Sequence, residues 1–180
     1  HWAALGNPGW SYEEILPCFR RTERRIGSGD NHYRGRSGNL PVTTSPWPSP
    51  LVDGFIAAAR EQGHPFNEDY NGAVQEGVGY YQSAIYRGRR VSAASAFLRP
   101  ARGNGRVAVR TNSLVTRVIL QGNRAVGVEY RPTGSGALVQ VMAQREVIIS
   151  AGTLNSPKVL QLSGIGPPEL LGQHCIAVSR

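Results

Sequence analysis

The stretch Glu146-Val-Ile-Ile-Ser-Ala-Gly-Thr-Leu-Asn-Ser-Pro-Lys-Val-Leu-Gln-Leu-Ser-Gly-Ile-Gly166 decides the fold. Residues 146–150 are a β-type apolar run, and Ala151-Gly152 is a turn of small residues. Ser156 is placed to cap a helix with its hydroxyl, and Pro157 suits a first helical position. Val159, Leu160 and Leu162 give that helix an apolar surface, and Gly164 is placed to end it. A strand, a small-residue turn and a helix N-terminus together let a dinucleotide approach bare backbone.

Upstream, the pattern is β. Residues 107–111, 113–120, 125–130 and 138–141 alternate or run apolar, and Gly122-Asn123 and Gly134-Ser135-Gly136 supply turns between them. This predicts a β-meander feeding the 146–150 strand. Farther upstream, Ser11 and Glu14 predict a capping box opening a short helix, which Pro17 kinks or restarts. Residues 27–50 read as loop around a short strand at 40–43. Residues 51–63 read as a helix closed by Gly63, and residues 77–86 as an aromatic strand. Residues 92–98 read as a short helix stopped near Pro100. Residues 176–180 look like the start of another strand.

The chain has 180 residues, 20 basic and 12 acidic, for a net charge of +8. A nucleic-acid binder is one reading of that balance. The arginines are spread along the chain, however, and net charge speaks to association rather than to fold. The Arg20, Arg21, Arg24, Arg25 group reads as a solvated face, with a phosphate site as the alternative. Cys18 and Cys175 are far apart, without metal-ligand spacing, and read as buried small hydrophobes. No apolar run approaches the roughly 20 residues of a membrane span. The first residue is His1, and both ends look cut.

Residues 152–166 resemble the second sequence signature of the glucose–methanol–choline flavoenzymes. Gly152, Thr153, Ser156, Pro157, Val159, Leu160, Ser163, Gly164, Ile165 and Gly166 fit its frame. Trp2-Ala-Ala-Leu-Gly-Asn-Pro-Gly-Trp-Ser-Tyr12 with Leu16-Pro17, Asp69-Tyr-Asn-Gly72, Glu76-Gly-Val-Gly-Tyr-Tyr-Gln82, Gly88-Arg-Arg90 and Ala125-Val-Gly-Val-Glu129 follow in the family's order. The likeness covers essentially the whole chain and is nearest the choline dehydrogenase and alcohol dehydrogenase-like branch. Cys18, Asn104-Gly-Arg-Val107 and Cys175 depart from the pattern, the last at a position that is often Gly.

The resemblance implies a mixed α/β fold: part of a Rossmann-like FAD-binding domain with a β-meander, and part of an antiparallel-sheet substrate domain. The implied domains are residues 1–38 as a connecting segment of the flavin domain, 39–88 as partial substrate-binding domain and 89–180 as partial FAD-binding domain. The implied activity is oxidation of a small-molecule alcohol, choline or a primary alcohol, by hydride transfer to FAD, with oxygen or a quinone as electron acceptor. A plant-type lyase that keeps FAD without net oxidation is the alternative inside the family. The family's catalytic histidine would lie beyond Arg180. His1, His32, His64 and His174 are therefore not assigned to catalysis, and the piece alone is expected to be inactive. No Gly-x-Gly-x-x-Gly follows a strand here.

On the cofactor side, Val115 matches a position whose backbone contacts the adenine; the alternative is an ordinary strand-core residue. Ser150, Ala151 and Gly152 match the small turn beside the adenosine and diphosphate, where absence of bulk is what matters; the alternative is a packing turn. Ser156 and Ser163 read as caps, and Asp69 and Asn71 as turn residues bonding nearby backbone.

Overall fold

A computed structural model describes residues 1–45 and 47–179, so Pro46, within the expected 27–50 loop, lies outside the described residues. The chain forms two compact units, His1–Ala108 and Val109–Arg180.

In the first unit, α1 (Tyr12–Thr22) opens on the expected capping box. The Ser11 hydroxyl accepts the Glu14 N–H at 3.3 Å, and the Glu14 carboxylate accepts the Ser11 N–H at 3.0 Å. The helix runs through Pro17 without restarting; the missing N–H removes one bond from an 11-residue helix that has no buried residue. β1 (Glu23–Ile26) follows at once and pairs in parallel with β2 (Leu40–Thr44), from Glu23↔Leu40 to Ile26↔Thr43. After α2 (Pro50–Glu61), which buries Ile56, β3 (Gln82–Ser83) adds to β2 antiparallel. β4 (Ile85–Tyr86) and β5 (Arg89–Arg90) make a separate hairpin. The expected 77–86 strand is thus broken into short pieces. Val78 bridges Phe66, and the Tyr80 hydroxyl turns aside to Asp53 Oδ1 at 2.7 Å. A π-helical turn (Ala94–Leu98) continues into α3 (Arg99–Gly103). Pro100 sits in the first turn of α3, where no N–H is needed, and does not stop the helix.

Two expectations here are corrected. The arginine group is only partly a solvated face. Arg20 and Arg21 are exposed, but Arg25 is 3% exposed, because β1 turns it inward. Its guanidinium donates to the carbonyls of Ser28, Ile26 and Val42 and to Thr44 Oγ1. Arg24 lies 4.9 Å from the Tyr86 ring centroid. The cysteines are both exposed rather than buried. Cys18 sits on the uncovered α1. Cys175 follows the end of α5 at φ +55, a left-handed position that turns it outward and favours the glycine usual there.

In the second unit, β6 (Ser113–Gln121), β7 (Arg124–Pro132) and β8 (Val139–Met142) form the predicted antiparallel meander, in that spatial order. Gly122-Asn123 is the two-residue turn between the first two strands. α4 (Gly152–Leu162) packs on β6, and α5 (Pro168–Gln173) buries Leu171 to 1% exposure. Val118, Tyr130, Val159 and Leu171 make the apolar core of this unit.

The decisive stretch differs from its reading in two ways. Residues 146–150 pair with no strand among the described residues, and Ile148 is left 78% exposed. A strand needs a neighbour, and apolar character alone does not supply one. The same holds for residues 107–111. Residues 176–179 are also irregular, with the Ser179 N–H donating to the Gly164 carbonyl at 2.8 Å; Arg180 lies outside the described residues. The helix begins at Gly152, so Ser156 and Pro157 are inside it. Ser156 Oγ reaches back to accept the Ala151 N–H at 3.0 Å instead of capping forward. The stop falls where predicted. Gly164 adopts φ +81, with Gly164 N–H→Gln161 O at 2.9 Å and Ile165 N–H→Leu160 O at 3.0 Å, a complete Schellman closure.

Candidate functional site

The candidate residues Val115, Ser150, Ala151 and Gly152 all fall in the second unit. Val115 stands on β6, an edge strand of its sheet, and is 37% exposed. An edge strand leaves one row of backbone N–H and C=O groups outside the ladder. Immediately after Val115 the register breaks: Val115 faces Tyr130 and Arg117 faces Glu129, leaving Thr116 as one extra residue, a β-bulge.

Glu129 sits against this bulge and is 6% exposed. Arg117 donates to it through Nε and Nη2, and Gln140 of β8 through Nε2, each at 3.1 Å. Thr116 Oγ1 lies 3.1 Å from both the Glu129 carbonyl and Oε1. The Arg117 hydrogen bonds, then those of Gln140 and Thr116, outweigh desolvation and hold the carboxyl down to about 2.

Farther along β6, the Val118 N–H donates to Ser163 Oγ at 2.8 Å, and that hydroxyl donates to the Val159 carbonyl at 2.6 Å. Ser163, read from sequence as a cap, is also the tie between strand and helix.

Ser150, Ala151 and Gly152 are exposed, and a Cβ added at Gly152 (φ +87) would meet nothing within 4 Å. They leave a bare approach to the start of α4, whose first N–H groups have no carbonyl one turn back to serve. The turn and the edge strand at Val115 thus each present backbone and little bulk, the kind of surface a dinucleotide needs for close approach.

The first unit holds a polar cluster that the sequence reading missed. Arg34, 2% exposed, pairs with Glu23 and Asp69 and donates to Gln82 Oε1 at 2.7 Å. Burial works against its charge, and the hydrogen bonds and charge of Glu23, with Asp69, more than offset it, so its pKa is raised. The Asp69 carboxylate also accepts the Asn71 N–H at 3.2 Å, the turn role expected of it. This cluster borders a cleft of about 470 Å³ lined by Leu16, Phe19, Tyr33, Val42 and Tyr70. An Asp inside a Gly/Asn-rich turn gave no signal of a buried partner 35 residues away. Among the described residues no group of His, Cys, Asp and Glu could hold a metal ion, and no helix is long and apolar enough to cross a membrane.

Comparison with known proteins identifies the family. A family model described as GMC oxidoreductase matches residues 1–176. The oxygen-dependent choline dehydrogenase of Brucella anthropi is 43% identical over 178 residues, 99% of this chain and 32% of that protein. That of Rhizobium meliloti is 44% identical over 177 residues, 98% of this chain and 32% of that protein. Among solved structures, an FAD-dependent oxidoreductase from Chaetomium thermophilum superposes with a TM-score of 0.90 at 33% identity, over 98% of this chain and 33% of that one. Pyridoxine 4-oxidase from Mesorbium loti gives a TM-score of 0.85 at 33% identity, over 96% and 34%. The chain spans about a third of the length of the relatives it matches.

Proposed function

The chain belongs to the GMC oxidoreductase family, and on that premise we propose that it is part of an FAD-dependent enzyme that oxidises choline or a primary alcohol to the aldehyde. The observation that carries this reading is the 43% identity to a choline dehydrogenase over 99% of the chain. Likeness at that level, held from one end to the other, extends beyond a shared cofactor fold.

Within the enzyme, residues 1–38 serve as a connecting segment of the flavin domain, 39–88 belong to the substrate-binding domain and 89–180 to the FAD-binding domain. FAD supplies the hydride acceptor when bound. The role of this chain is to hold its adenosine side. The backbone of Val115 meets the adenine edge, and Ser150, Ala151 and Gly152 let the ribose and diphosphate lie close to the start of α4. Ser163 keeps β6 and α4 in fixed relation, so that both contacts are presented together. The group that takes the hydroxyl proton belongs to another part of the enzyme, and none of the four histidines here fills that role.

The test is anaerobic mixing of the FAD-loaded full-length protein with choline and with a series of primary alcohols. Bleaching of the oxidised flavin band by one of them is the expected result. Flavin that stays oxidised with every member of the series contradicts the reading.

A further inference from the structure

We propose that Thr116 and Glu129 act as a positioning clamp for the cofactor-side strand, holding the one-residue bulge that aims the Val115 backbone outward. The proposal rests on the reading of Val115 as an adenine contact.

Thr116 is the inserted residue, with Val115↔Tyr130 on one side of it and Arg117↔Glu129 on the other. A bulge bends its strand and increases its twist, so its location decides where the backbone before it points. Moving it by one residue reverses the facing of every position passed. Something must hold it at 116.

The polar contacts do. Thr116 Oγ1 sits 3.1 Å from two oxygens of Glu129, its backbone carbonyl and Oε1. Its single proton serves one at a time, and either choice ties the inserted residue to the residue opposite. Arg117, next along, grips both carboxylate oxygens, and Gln140 on β8 holds Oε2 from the far side. Glu129 is 6% exposed, whereas the Arg117 side chain is 52% exposed, so the carboxylate is the fixed point and the arginine closes it from solvent. Val115 is the residue just before the clamp.

Neither Thr116 nor Glu129 touches the cofactor in this scheme; both act through the position of Val115. Thr116→Val removes the hydroxyl and keeps the shape. Thr116→Ser keeps the hydroxyl. Glu129→Gln keeps the shape and removes the charge. The experiment measures, in the full-length apo-protein, the Kd for FAD, the Kd for ADP as a probe of the adenosine half, and the apo-protein Tm. The visible spectrum of the FAD-saturated form is recorded alongside.

Thr116→Val and Glu129→Gln should each weaken FAD and ADP by the same factor, about tenfold, the equivalent of one well-placed hydrogen bond. Thr116→Ser should stay close to wild type, and the flavin band of the saturated proteins should not move. Should one variant fail to fold, the other carries the comparison. FAD and ADP affinities within about twofold of wild type, whatever the Tm does, would show a strand cross-link and overturn the proposal. So would a loss confined to FAD with ADP unaffected. A wild-type apo-protein that binds neither FAD nor ADP overturns the reading of the site beneath it, a result distinct from either.

Discussion

Ser163 does two jobs with one hydroxyl, accepting the Val118 N–H and donating to the Val159 carbonyl, and it is 8% exposed. Ser163→Ala would leave the Val118 N–H without a partner, at a cost of about 1–3 kcal/mol, read by denaturant unfolding of the full-length protein. Glu129 carries a pH dependence. Its carboxyl is held at about 2 in the fold, against about 4.3 in an unfolded chain. The contribution is therefore complete above the unfolded value and is lost as pH falls from there through about 2. Glu129→Gln should flatten the acid side of the unfolding profile in that window and leave the neutral-to-alkaline side parallel to wild type. The sequence held a faint sign of this residue, a lone acid in an apolar β run, but nothing in the run named Arg117, Thr116 and Gln140 as its partners.

At the scale of elements, what was legible was what is decided locally. The Ser11/Glu14 box and the Gly122-Asn123 hairpin each depend on residues within a few positions of one another, and both are present as read. The stop of α4 at Gly164 is of the same kind. Gly164→Ala would place a Cβ against Ser179 Oγ and the Ala177 carbonyl in a left-handed conformation, costing more than about 1 kcal/mol. A fall in Tm with α4 otherwise intact by hydrogen exchange would verify it. The expectation of a strand at 146–150 fails because pairing is not a local property: its apolar residues describe a strand, and no described segment pairs with it. The start of α4 was misread because Ser-Pro marks a favoured helix entry without excluding a helix already under way. The Glu23–Arg34–Asp69 cluster joins residues 11 and 35 apart, beyond any spacing rule.

For the whole molecule, the family likeness was legible because its ten-position frame at residues 152–166 is a property of sequence rather than of contacts. Val115 and residues 150–152 entered by that route and not through any chemistry of their own, since backbone and missing bulk leave little trace in residue type. Large apolar side chains stand exposed in both units, among them Trp2 stacked on Trp10, and Ile148 and Leu154 beside the candidate turn. Patches of this kind mark surfaces made for contact. In the proposed enzyme this chain frames the adenosine side of FAD. The most direct measurement is the absorbance spectrum of the purified full-length protein, with identification of the chromophore released on denaturation. A flavin spectrum and released FAD are predicted. A colourless protein that takes up no FAD when supplied with it would contradict the account.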